Sequence, residues 1–259
     1  MTKNQAFTIL QRAGGIRAAR IITDYYKKLS RIRVLWISYQ LRRGIPVAKI
    51  IHQKWFYGLS FYTSKHTLDP RPDTETLVSA VISDYMDDSA RHILDLGTGT
   101  GCIICALVKN IQNTTGTAID KSIRALRIAR HNIKTHKLSD KIKTHRANFY
   151  KQIKFNTQFD IIVSNPPYIA HDDRRVNDAA KHDPDMALYA KNNGLAAYES
   201  IAKNAKSWLK SDGKIYLEIG IDQGTDIKNI FIHNGWNLLN SHTDLSGIER
   251  VLVFAKAHQ

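Results

Sequence analysis

An apolar segment that runs directly into a glycine-rich loop constrains the fold of this chain more than any other feature. The strand-like residues lie at 92–96, and a helical stretch follows at 102–110. The loop and the residues before it are Asp95, Leu96, Gly97, Thr98, Gly99, Thr100 and Gly101. Glycines permit positive φ and close approach of the backbone to a ligand, which a strand-to-helix turn over a nucleotide needs. The segment therefore predicts a nucleotide site beside the first strand of an α/β sheet.

Asp120 strengthens this prediction. It ends the next apolar segment, 116–119, about 20 residues after the loop, where an acidic side chain can hold ribose hydroxyls. A dinucleotide fingerprint would have another glycine just beyond the loop, where Ile103 and Ile104 stand instead. The pattern therefore indicates a ligand built of adenosine and a short tail rather than a dinucleotide.

A second motif, Ser164-Asn165-Pro166-Pro167-Tyr168, follows the apolar run 159–163. The side-chain oxygen of Asn165 and the backbone carbonyl of Pro166 can each accept one hydrogen of a substrate NH2 group. The two prolines fix φ and donate no hydrogen bond, so both acceptors are aimed in advance. The Tyr168 ring can pack against the substrate or a cationic group. The motif predicts chemistry on a planar nitrogen; the alternative is a Pro-Pro turn in which Asn165 satisfies local backbone groups.

Strand-like and helical segments alternate along the rest of the chain. Strands are predicted at 92–96, 115–119, 142–145, 159–164, 214–219, 236–241 and 250–255, and helices at 74–86, 102–110, 122–136, 195–209 and 223–233. This alternation predicts an α/β doubly wound sheet with both motifs at the carboxyl ends of strands, where open sheets bind ligands. The last two strands have no room for a crossover helix, so they should pair antiparallel. The segment 169–190 is predicted to be a mobile flap, with a plain surface loop as the alternative.

Charge divides the chain into two parts. Residues 1–66 hold 13 Lys and Arg against Asp24 alone, so this stretch supplies +12 of the formal net charge of +15. Helix-like stretches at 16–29 and 32–43 and a hairpin-like stretch at 55–61 lie within or close to it. We predict a small basic helical domain with a short hairpin at 1–66, which docks the substrate, and a Rossmann-like domain at 67–259.

The basic part has several possible uses. Its dense cations with interleaved aromatic residues suit an acidic protein surface or an RNA-rich assembly. A solvated basic face with its aromatics in the core is the alternative. A cleaved organellar targeting peptide over the first 20 or so residues is another.

Composition narrows the class of protein. An apolar content of 43% is ordinary for 259 residues, and no apolar run is long enough to span a membrane. Cys102 and Cys105 form a C-x-x-C pattern without a second pair, which favours a buried helix face over metal or redox chemistry. The eleven histidines have no ligand spacing, so no metal site is expected. These features predict a cytoplasmic enzyme without membrane contact.

The two motifs and Asp120 together resemble the class I S-adenosylmethionine-dependent methyltransferases that modify amino or amide nitrogens. The stretch Pro70-Arg71-Pro72-Asp73-Thr74-Glu75-Thr76-Leu77-Val78 is similar to the PRPDTE-x-LV signature of one such family, HemK/PrmC, the release factor glutamine methyltransferases. Further matches in the order of that family are Asp183-Pro184, Ala187-Leu188, Gly194-Leu195, Glu218-Ile219-Gly220, Gln223-Gly224, Asp244, Gly247, Arg250 and Val251. The resemblance covers residues 55–256, most of the chain.

This resemblance implies a cofactor and a role for each motif residue. The loop 97–101 with Asp95 before it would wrap the methionine and ribose of S-adenosylmethionine, and Asp120 would hold the ribose. Asn148 and Phe149 would lie along the adenine, with an amide where the family has an acid. The substrate-binding residues would be Asn165, Pro166, Pro167 and Tyr168. Of these, Asn165, Pro166 and Tyr168 would be catalytic, with Asn165 also bordering the cofactor, and positioning would be the main contribution to methyl transfer.

The substrate that the resemblance implies is the glutamine of the Gly-Gly-Gln motif in class I peptide chain release factors. Two alternatives remain: a nucleic-acid amino methyltransferase acting on adenine or guanine, and a noncatalytic cofactor-binding scaffold. A sister family that methylates a ribosomal protein shares the amide motif but typically lacks the PRPDTE stretch. Asp69 stands where the family usually has an apolar residue, and the N-terminal segment is shorter than the family's helical domain. Both departures bear on substrate recognition rather than on cofactor binding.

Overall fold

The computed structural model describes residues 1–173 and 180–257 of the chain. The helices in these ranges are α1 (Lys3–Tyr25), α2 (Arg31–Arg42), α3 (Val47–Ile51), α4 (Thr74–Asp84), α5 (Cys102–Asn110), α6 (Ile123–Thr135), α7 (Asp185–Leu188), α8 (Ala196–Asn204) and α9 (Gly224–His233). The strands in the same ranges are β1 (Gln53–Phe56), β2 (Leu59–Tyr62), β3 (Arg91–Leu96), β4 (Thr114–Asp120), β5 (Ile142–Arg146), β6 (Phe159–Ser164), β7 (Leu209–Glu218), β8 (Trp236–Thr243) and β9 (Glu249–Lys256). None of the described helices is both long enough and apolar enough to cross a membrane.

The strands β3 to β9 form one seven-stranded sheet in the order β5-β4-β3-β6-β7-β9-β8. Strands β3 to β7 pair in parallel, whereas β9 pairs antiparallel with both β7 and β8. These pairings confirm the predicted doubly wound α/β sheet and the antiparallel pairing of its last two strands. The chain order reverses between β3 and β6, and a reversal of this kind opens a crevice at the carboxyl ends of the two strands.

Successive side chains of the central strands enter two different cores, as the two-residue period of a strand requires. Ile161 and Val163 of β6 pack with side chains of α4, α5 and α6 on one face of the sheet. Ile162 packs with side chains of α8 and α9 on the other face. Helices therefore cover both faces and leave the edge at the carboxyl ends of the strands free for a ligand.

The three N-terminal helices have a small core of their own. Leu10 and Ile22 of α1 pack there with Val34 and Ile37 of α2 and with Ile50 of α3. The predicted stretch 16–29 is wrong at both ends, because α1 begins at Lys3 after the Thr2 cap, stays helical on both sides of a kink at Gly15 and ends at Tyr25. The short helix α3 was not predicted.

The hairpin β1–β2 confirms the hairpin-like stretch at 55–61. Its residues Phe56 and Phe61 pack into the large core beside α4 and α5. The backbone N–H of Tyr62 donates to Asn132 Oδ1 at 2.8 Å, and Asn132 Nδ2 donates back to the carbonyl of Tyr62 at 3.0 Å. The hairpin is thus attached to the sheet-bearing part of the molecule, and the division at residue 66 stays a prediction.

The predicted helix 195–209 is wrong at its carboxyl end. The helix α8 stops at Asn204, a short 3-10 turn follows at Ala205–Ser207, and β7 begins at Leu209 rather than at residue 214. Leu209 already pairs with Phe159 of β6, and the register then shifts before regular pairing resumes at Lys214. An irregularity of this kind breaks the two-residue alternation by which a strand is recognised in a sequence.

The predicted flap at 169–190 lies partly outside the described residues, at 174–179. Its described ends are joined, since Ile169 N–H donates to Leu188 O and Ala190 N–H donates to Ile169 O, both at 2.9 Å. The helix α7 lies between these ends in the sequence, and Pro184 and Met186 line the cleft at the glycine loop. The mobility of this segment stays a prediction.

Candidate active site

The glycine loop turns tightly between β3 and α5. Gly97, Gly99 and Gly101 have φ of 75°, 55° and 79°, in the left-handed region that favours glycine. The N–H groups of Gly97 and Thr98 donate to the carbonyl of Ile119 in β4, both at 2.9 Å. The loop is therefore pinned to the neighbouring strand and presents a close-lying backbone to the cleft.

Asp120 joins the end of β4 to this loop. One carboxylate oxygen accepts from the N–H of Gly99 at 3.1 Å, and the other accepts from the N–H of Ser122 at 2.8 Å. Burial raises the pKa of this carboxyl, and the two backbone donors oppose the shift. Each oxygen of a carboxylate can accept a further hydrogen bond, so Asp120 can order the loop and still hold hydroxyl groups of a ligand.

Asp95 lies beneath the loop rather than on the wall of the cleft. It is buried, and one of its oxygens accepts from the Thr98 hydroxyl at 2.6 Å. The other oxygen, Oδ1, has no hydrogen-bond partner among the described residues. The pKa of Asp95 is raised to about 7, chiefly by burial and also by the nearby Asp120, while hydrogen bonds from Thr98 and from the backbone of Ile104 oppose the shift.

Asn148, Phe149 and Tyr150 form the opposite wall of the cleft. The rings of Phe149 and Tyr150 stack with centroids 4.8 Å apart. Asn148 Oδ1 accepts from the N–H of Tyr150 at 3.1 Å, which fixes the turn and leaves a lone pair for a further donor. A Cβ added at Gly97 would lie 3.5 Å from Phe149 Cε1, so the missing side chain leaves the space between loop and ring open.

Asn165 is held by residues that are distant in the sequence. Its Nδ2 donates to the hydroxyl oxygen of Thr74 at 3.1 Å, and Thr74 is the first residue of α4. Asn165 and Thr74 also donate hydrogen bonds to the Glu218 carboxylate, which lower the pKa of that group. Burial is the larger effect and raises the pKa of Glu218 to about 7. With Nδ2 engaged by the protein, Asn165 Oδ1 is the amide atom left to accept from a substrate.

Two cavities meet at Asn165, which lines both. The first lies between the glycine loop and the wall formed by Asn148, Phe149 and Tyr150. The predicted site residues that line it are Gly97, Thr98, Gly99, Thr100, Asp120, Asn148, Phe149, Asn165 and Pro167. The second is lined by Asn165 and Tyr168 of the predicted set, together with Glu218 and Arg250.

The predicted site residues are thus divided between two spaces. Tyr168 borders only the second cavity, and burial raises the pKa of its hydroxyl, so it stays neutral at ordinary pH. Asp95, Gly101 and Pro166 line neither cavity. Thr74, Glu218 and Arg250 were not predicted as site residues, although each falls in a stretch that resembles the family pattern.

The first cavity fits S-adenosylmethionine. The exposed loop backbone, the acceptor oxygens of Asp120 and the aromatic wall at Phe149 match a nucleoside with a short polar tail. Among the described residues, no group of three or more His, Cys, Asp or Glu side chains could hold a metal ion. Cys102 and Cys105 are buried thiols on α5, and burial raises the pKa of Cys102 to about 12.

A buried charge cluster joins the N-terminal helices to this cleft. Lys49 of α3 pairs with Asp69 at 2.7 Å and with Asp183 at 2.8 Å. Asp183 also pairs with Arg71 at 2.6 Å. Asp69 and Arg71 line the first cavity, as does Pro184, which follows Asp183 in the chain. The charged residue at position 69, which departs from the family pattern, is therefore matched by a cation from the basic N-terminal segment.

Comparison with known proteins gives a consistent result. A family model described as the methyltransferase small domain matches residues 63–183. The release factor glutamine methyltransferase of Agrobacterium fabrum is 41% identical to the chain over 219 residues, which cover 82% of the chain and 75% of that protein. A bifunctional methyltransferase of Rickettsia typhi is 37% identical over 271 residues, 96% of the chain but 52% of that protein. The chain thus spans about half the length of the Rickettsia relatives it matches.

Solved structures resemble the fold at low sequence identity. A methyltransferase structure from Pyrococcus furiosus has a TM-score of 0.58 and 18% identity, and the match covers 78% of this chain and 91% of that chain. At this identity the likeness supports the class I methyltransferase fold and carries no information on the substrate.

Proposed function

Because this chain belongs to the release factor glutamine methyltransferase family, we propose that it methylates the glutamine of the Gly-Gly-Gln motif in class I release factors. The methyl group would pass from S-adenosylmethionine to the side-chain amide nitrogen of that glutamine as its bond to the sulfonium sulfur breaks. S-adenosylhomocysteine would leave, and the amide nitrogen would release one proton to water. The position of Asn165 between the two cavities is the observation that carries this proposal. The first cavity takes the cofactor and the second takes the glutamine.

The cofactor supplies an electrophilic methyl group on a sulfonium centre. The protein contributes by holding a weak nucleophile in the right orientation. Asn165 Oδ1 accepts one amide hydrogen of the substrate, and the carbonyl of Pro166 accepts the other. An amide nitrogen held by both hydrogens is directed at the methyl group, and orientation of this kind is worth up to about 7–11 kcal/mol of the barrier. Tyr168 packs beside the substrate, while Gly97 to Gly101 and Asp120 hold the cofactor.

The basic N-terminal segment docks the release factor in this proposal. Ile32, Leu35, Trp36 and Tyr39 of α2 lie at helical spacing on an exposed face, and Trp36 is 52% exposed. Exposed arginines flank this face, and Arg43 lies over the Tyr39 ring with its guanidinium carbon 5.7 Å from the ring centroid. A face with an apolar stripe and a cationic rim suits an acidic protein surface. The release factor is then the partner, and the protein acts in the cytoplasm.

A nucleic-acid amino methyltransferase is the second candidate. The observation in its favour is the same exposed face of α2, where Trp36 and Tyr39 stand among arginines and could stack on bases. The amide motif would then bind the exocyclic amine of adenine or guanine.

One experiment separates the candidates. Label transfer from S-adenosylmethionine is measured to a release factor carrying Gly-Gly-Gln, to the same factor carrying Gly-Gly-Ala, and to DNA and rRNA. The proposed function requires labelling of the first substrate alone. Labelling of nucleic acid without labelling of the Gly-Gly-Gln factor would replace it by the second candidate.

A further inference from the structure

Glu218 ends β7 beside the end of β6, where Asn165 follows. Its side chain is buried, with 1% of the residue exposed, yet it borders the second cavity together with Asn165 and Tyr168. Its Oε2 atom has no hydrogen-bond partner among the described residues. A carboxylate in such a place is costly to bury, which indicates that it has a function in the site.

The hydrogen bonds of Asn165 link this carboxylate to the orientation of the Asn165 side-chain amide. Nδ2 carries two hydrogens, and one goes to Thr74 Oγ1 at 3.1 Å. Hydrogen bonding with Asn165 also lowers the pKa of the Glu218 carboxyl, and only the second hydrogen of Nδ2 can supply it. In the flipped orientation, Oδ1 of the amide would face the carboxylate, and two acceptors would oppose each other without a hydrogen between them. An ionised Glu218 therefore permits one amide orientation, the one that turns Oδ1 away from the carboxylate.

We propose that Glu218 is a positioning residue that holds the Asn165 amide with Oδ1 facing the substrate nitrogen. The inference rests on the proposed function, because it concerns the acceptor for the glutamine amide. A protonated Glu218 carries a donor of its own and can accommodate the flipped amide, which would present Nδ2 to the substrate NH2 group. Two donors would then face each other, and the nitrogen to be methylated would lose its orientation.

The neighbours of Glu218 determine when it is ionised. Burial raises its pKa to about 7, Asp73 raises it as well, and Arg250 lowers it. Tyr168 and Tyr198 also face the carboxylate, and burial raises the pKa of both hydroxyls, so they are neutral near pH 7. Above the pKa of Glu218, the Asn165 amide is held with Oδ1 toward the substrate. This orientation is lost as pH falls through that pKa.

Cys102 is another titratable group, and a charge on its thiol would interact with the charge on Glu218. Burial raises the pKa of this thiol to about 12, so it is neutral over the range in which turnover is measured. Asp95 titrates in the same range as Glu218, since burial raises its pKa to about 7, but it lies under the cofactor loop. Saturating cofactor and a Glu218 variant separate the two carboxyls.

The test is the pH dependence of turnover in three proteins. The wild type, Glu218→Gln and Glu249→Gln methylate the Gly-Gly-Gln release factor at saturating S-adenosylmethionine from about pH 5.5 to about pH 9. Glu249 is a matched control because it is a partly exposed carboxylate that pairs with Lys228 and lines neither cavity. Wild type and Glu249→Gln should lose kcat as pH falls through about 7. Glu218→Gln should lack this acid limb and have kcat lowered by roughly 100-fold with a nearly unchanged KM.

Each outcome decides the question. Either a wild-type kcat or a wild-type acid limb in Glu218→Gln would overturn the role of Glu218. Cofactor affinity and the thermal midpoint establish that the variant is folded. Should it not fold, Glu218→Asp, which keeps the carboxylate, must retain an acid limb; a flat profile in that variant or in the wild type overturns the proposal. A wild type that does not methylate the factor at all overturns the proposed function and this inference with it.

Discussion

The side-chain nitrogen of Asn165 donates a hydrogen bond of 3.1 Å to the hydroxyl oxygen of Thr74, 91 residues earlier in the chain. Thr74 belongs to the 70–78 signature, and Asn165 belongs to the motif that is proposed to bind the substrate amide. Two stretches that are separate in the sequence are therefore parts of one structural unit. The signature contributes a buried acceptor that determines which atom of Asn165 is left free.

Replacing Thr74 by valine tests this unit. Valine has nearly the shape of threonine but no acceptor, so one hydrogen of Asn165 Nδ2 is left without a partner at a cost of about 1–3 kcal/mol. We expect kcat to fall roughly tenfold because the amide is held less firmly. Thr74→Ser, which keeps the hydroxyl, should stay near wild type. Equal turnover in the valine and serine variants would show that the hydroxyl has no part in catalysis.

We expect turnover to be most sensitive to substitution of Asn165 itself. Asn165→Ala should raise the activation barrier by several kcal/mol, so that kcat falls roughly 100-fold or more. Cofactor affinity and the thermal midpoint should change little. Asn165→Asp keeps the acceptors but adds a negative charge beside the buried Glu218. Like charges raise each other's pKa, so this variant should bind protons more tightly and remain poorly active near neutral pH. Wild-type turnover of Asn165→Ala at saturating substrate would rule out the proposed mechanism.

Asp120→Ala should weaken cofactor binding. Each charged hydrogen bond to the ribose contributes about 1.5–3 kcal/mol, and the substitution also releases the N–H groups of Gly99 and Ser122. Calorimetric titration with S-adenosylmethionine measures the change in affinity. Asp120→Asn, which keeps one acceptor oxygen, is the matched control and should lose less affinity than the alanine variant. An unchanged affinity in a folded Asp120→Ala protein would remove this carboxylate from the cofactor site.

The parts of the site that the sequence made predictable are those fixed by local chain geometry. Gly97 to Gly101 and Asp120 follow adjacent strands, and Asn165 follows a third, so the parallel sheet brings all of them to one edge. Glycine conformation and strand period are local properties, and both can be read from a few neighbouring residues.

The parts that could not be predicted depend on contacts across the chain. The pairing of Thr74 with Asn165 spans 91 residues, and that of Arg71 with Asp183 spans 112. No periodicity in the sequence indicates which polar side chains will meet across such distances. Buried charge is a further difficulty: Lys49 lies in a strongly basic stretch that composition alone suggests to be solvated, yet the fold buries it against two carboxylates.

Lys49 should therefore be important for stability. Removing one member of a buried ion pair leaves uncompensated charge, so Lys49→Met should lower the free energy of unfolding by about 3–5 kcal/mol. The double variant Lys49→Met with Asp69→Leu removes one cation and one anion, and Asp183 keeps its pairing with Arg71. We expect this variant to recover most of the loss, because apolar replacements of a buried pair are often neutral. Urea denaturation of the wild type, both single variants and the double variant measures the coupling. Additive losses would show that the pair acts as two independent residues.

The exposed arginines of the N-terminal segment provide the test of docking. Arg31, Arg33, Arg42 and Arg43 lie at the two ends of α2 and are exposed to solvent. Replacing all four by glutamine keeps the length and polarity of the side chains and removes four positive charges. We expect slower association with the release factor and a raised KM with a smaller change in kcat, because electrostatic steering acts mainly on the encounter.

A salt series distinguishes docking of the release factor on the basic surface from binding of nucleic acid there. Added salt should reduce the difference in KM between the four-arginine variant and the wild type, since it screens exposed charges beyond about 10 Å at 0.1 M. A matched variant in which four exposed lysines outside the N-terminal segment, Lys137, Lys141, Lys151 and Lys203, are replaced by glutamine controls for net charge alone. If the docking surface is on α2, this control should keep a KM close to wild type. Tight binding of RNA or DNA with an affinity that falls steeply with salt, combined with no methylation of the Gly-Gly-Gln factor, would instead identify the basic surface as a nucleic-acid-binding surface.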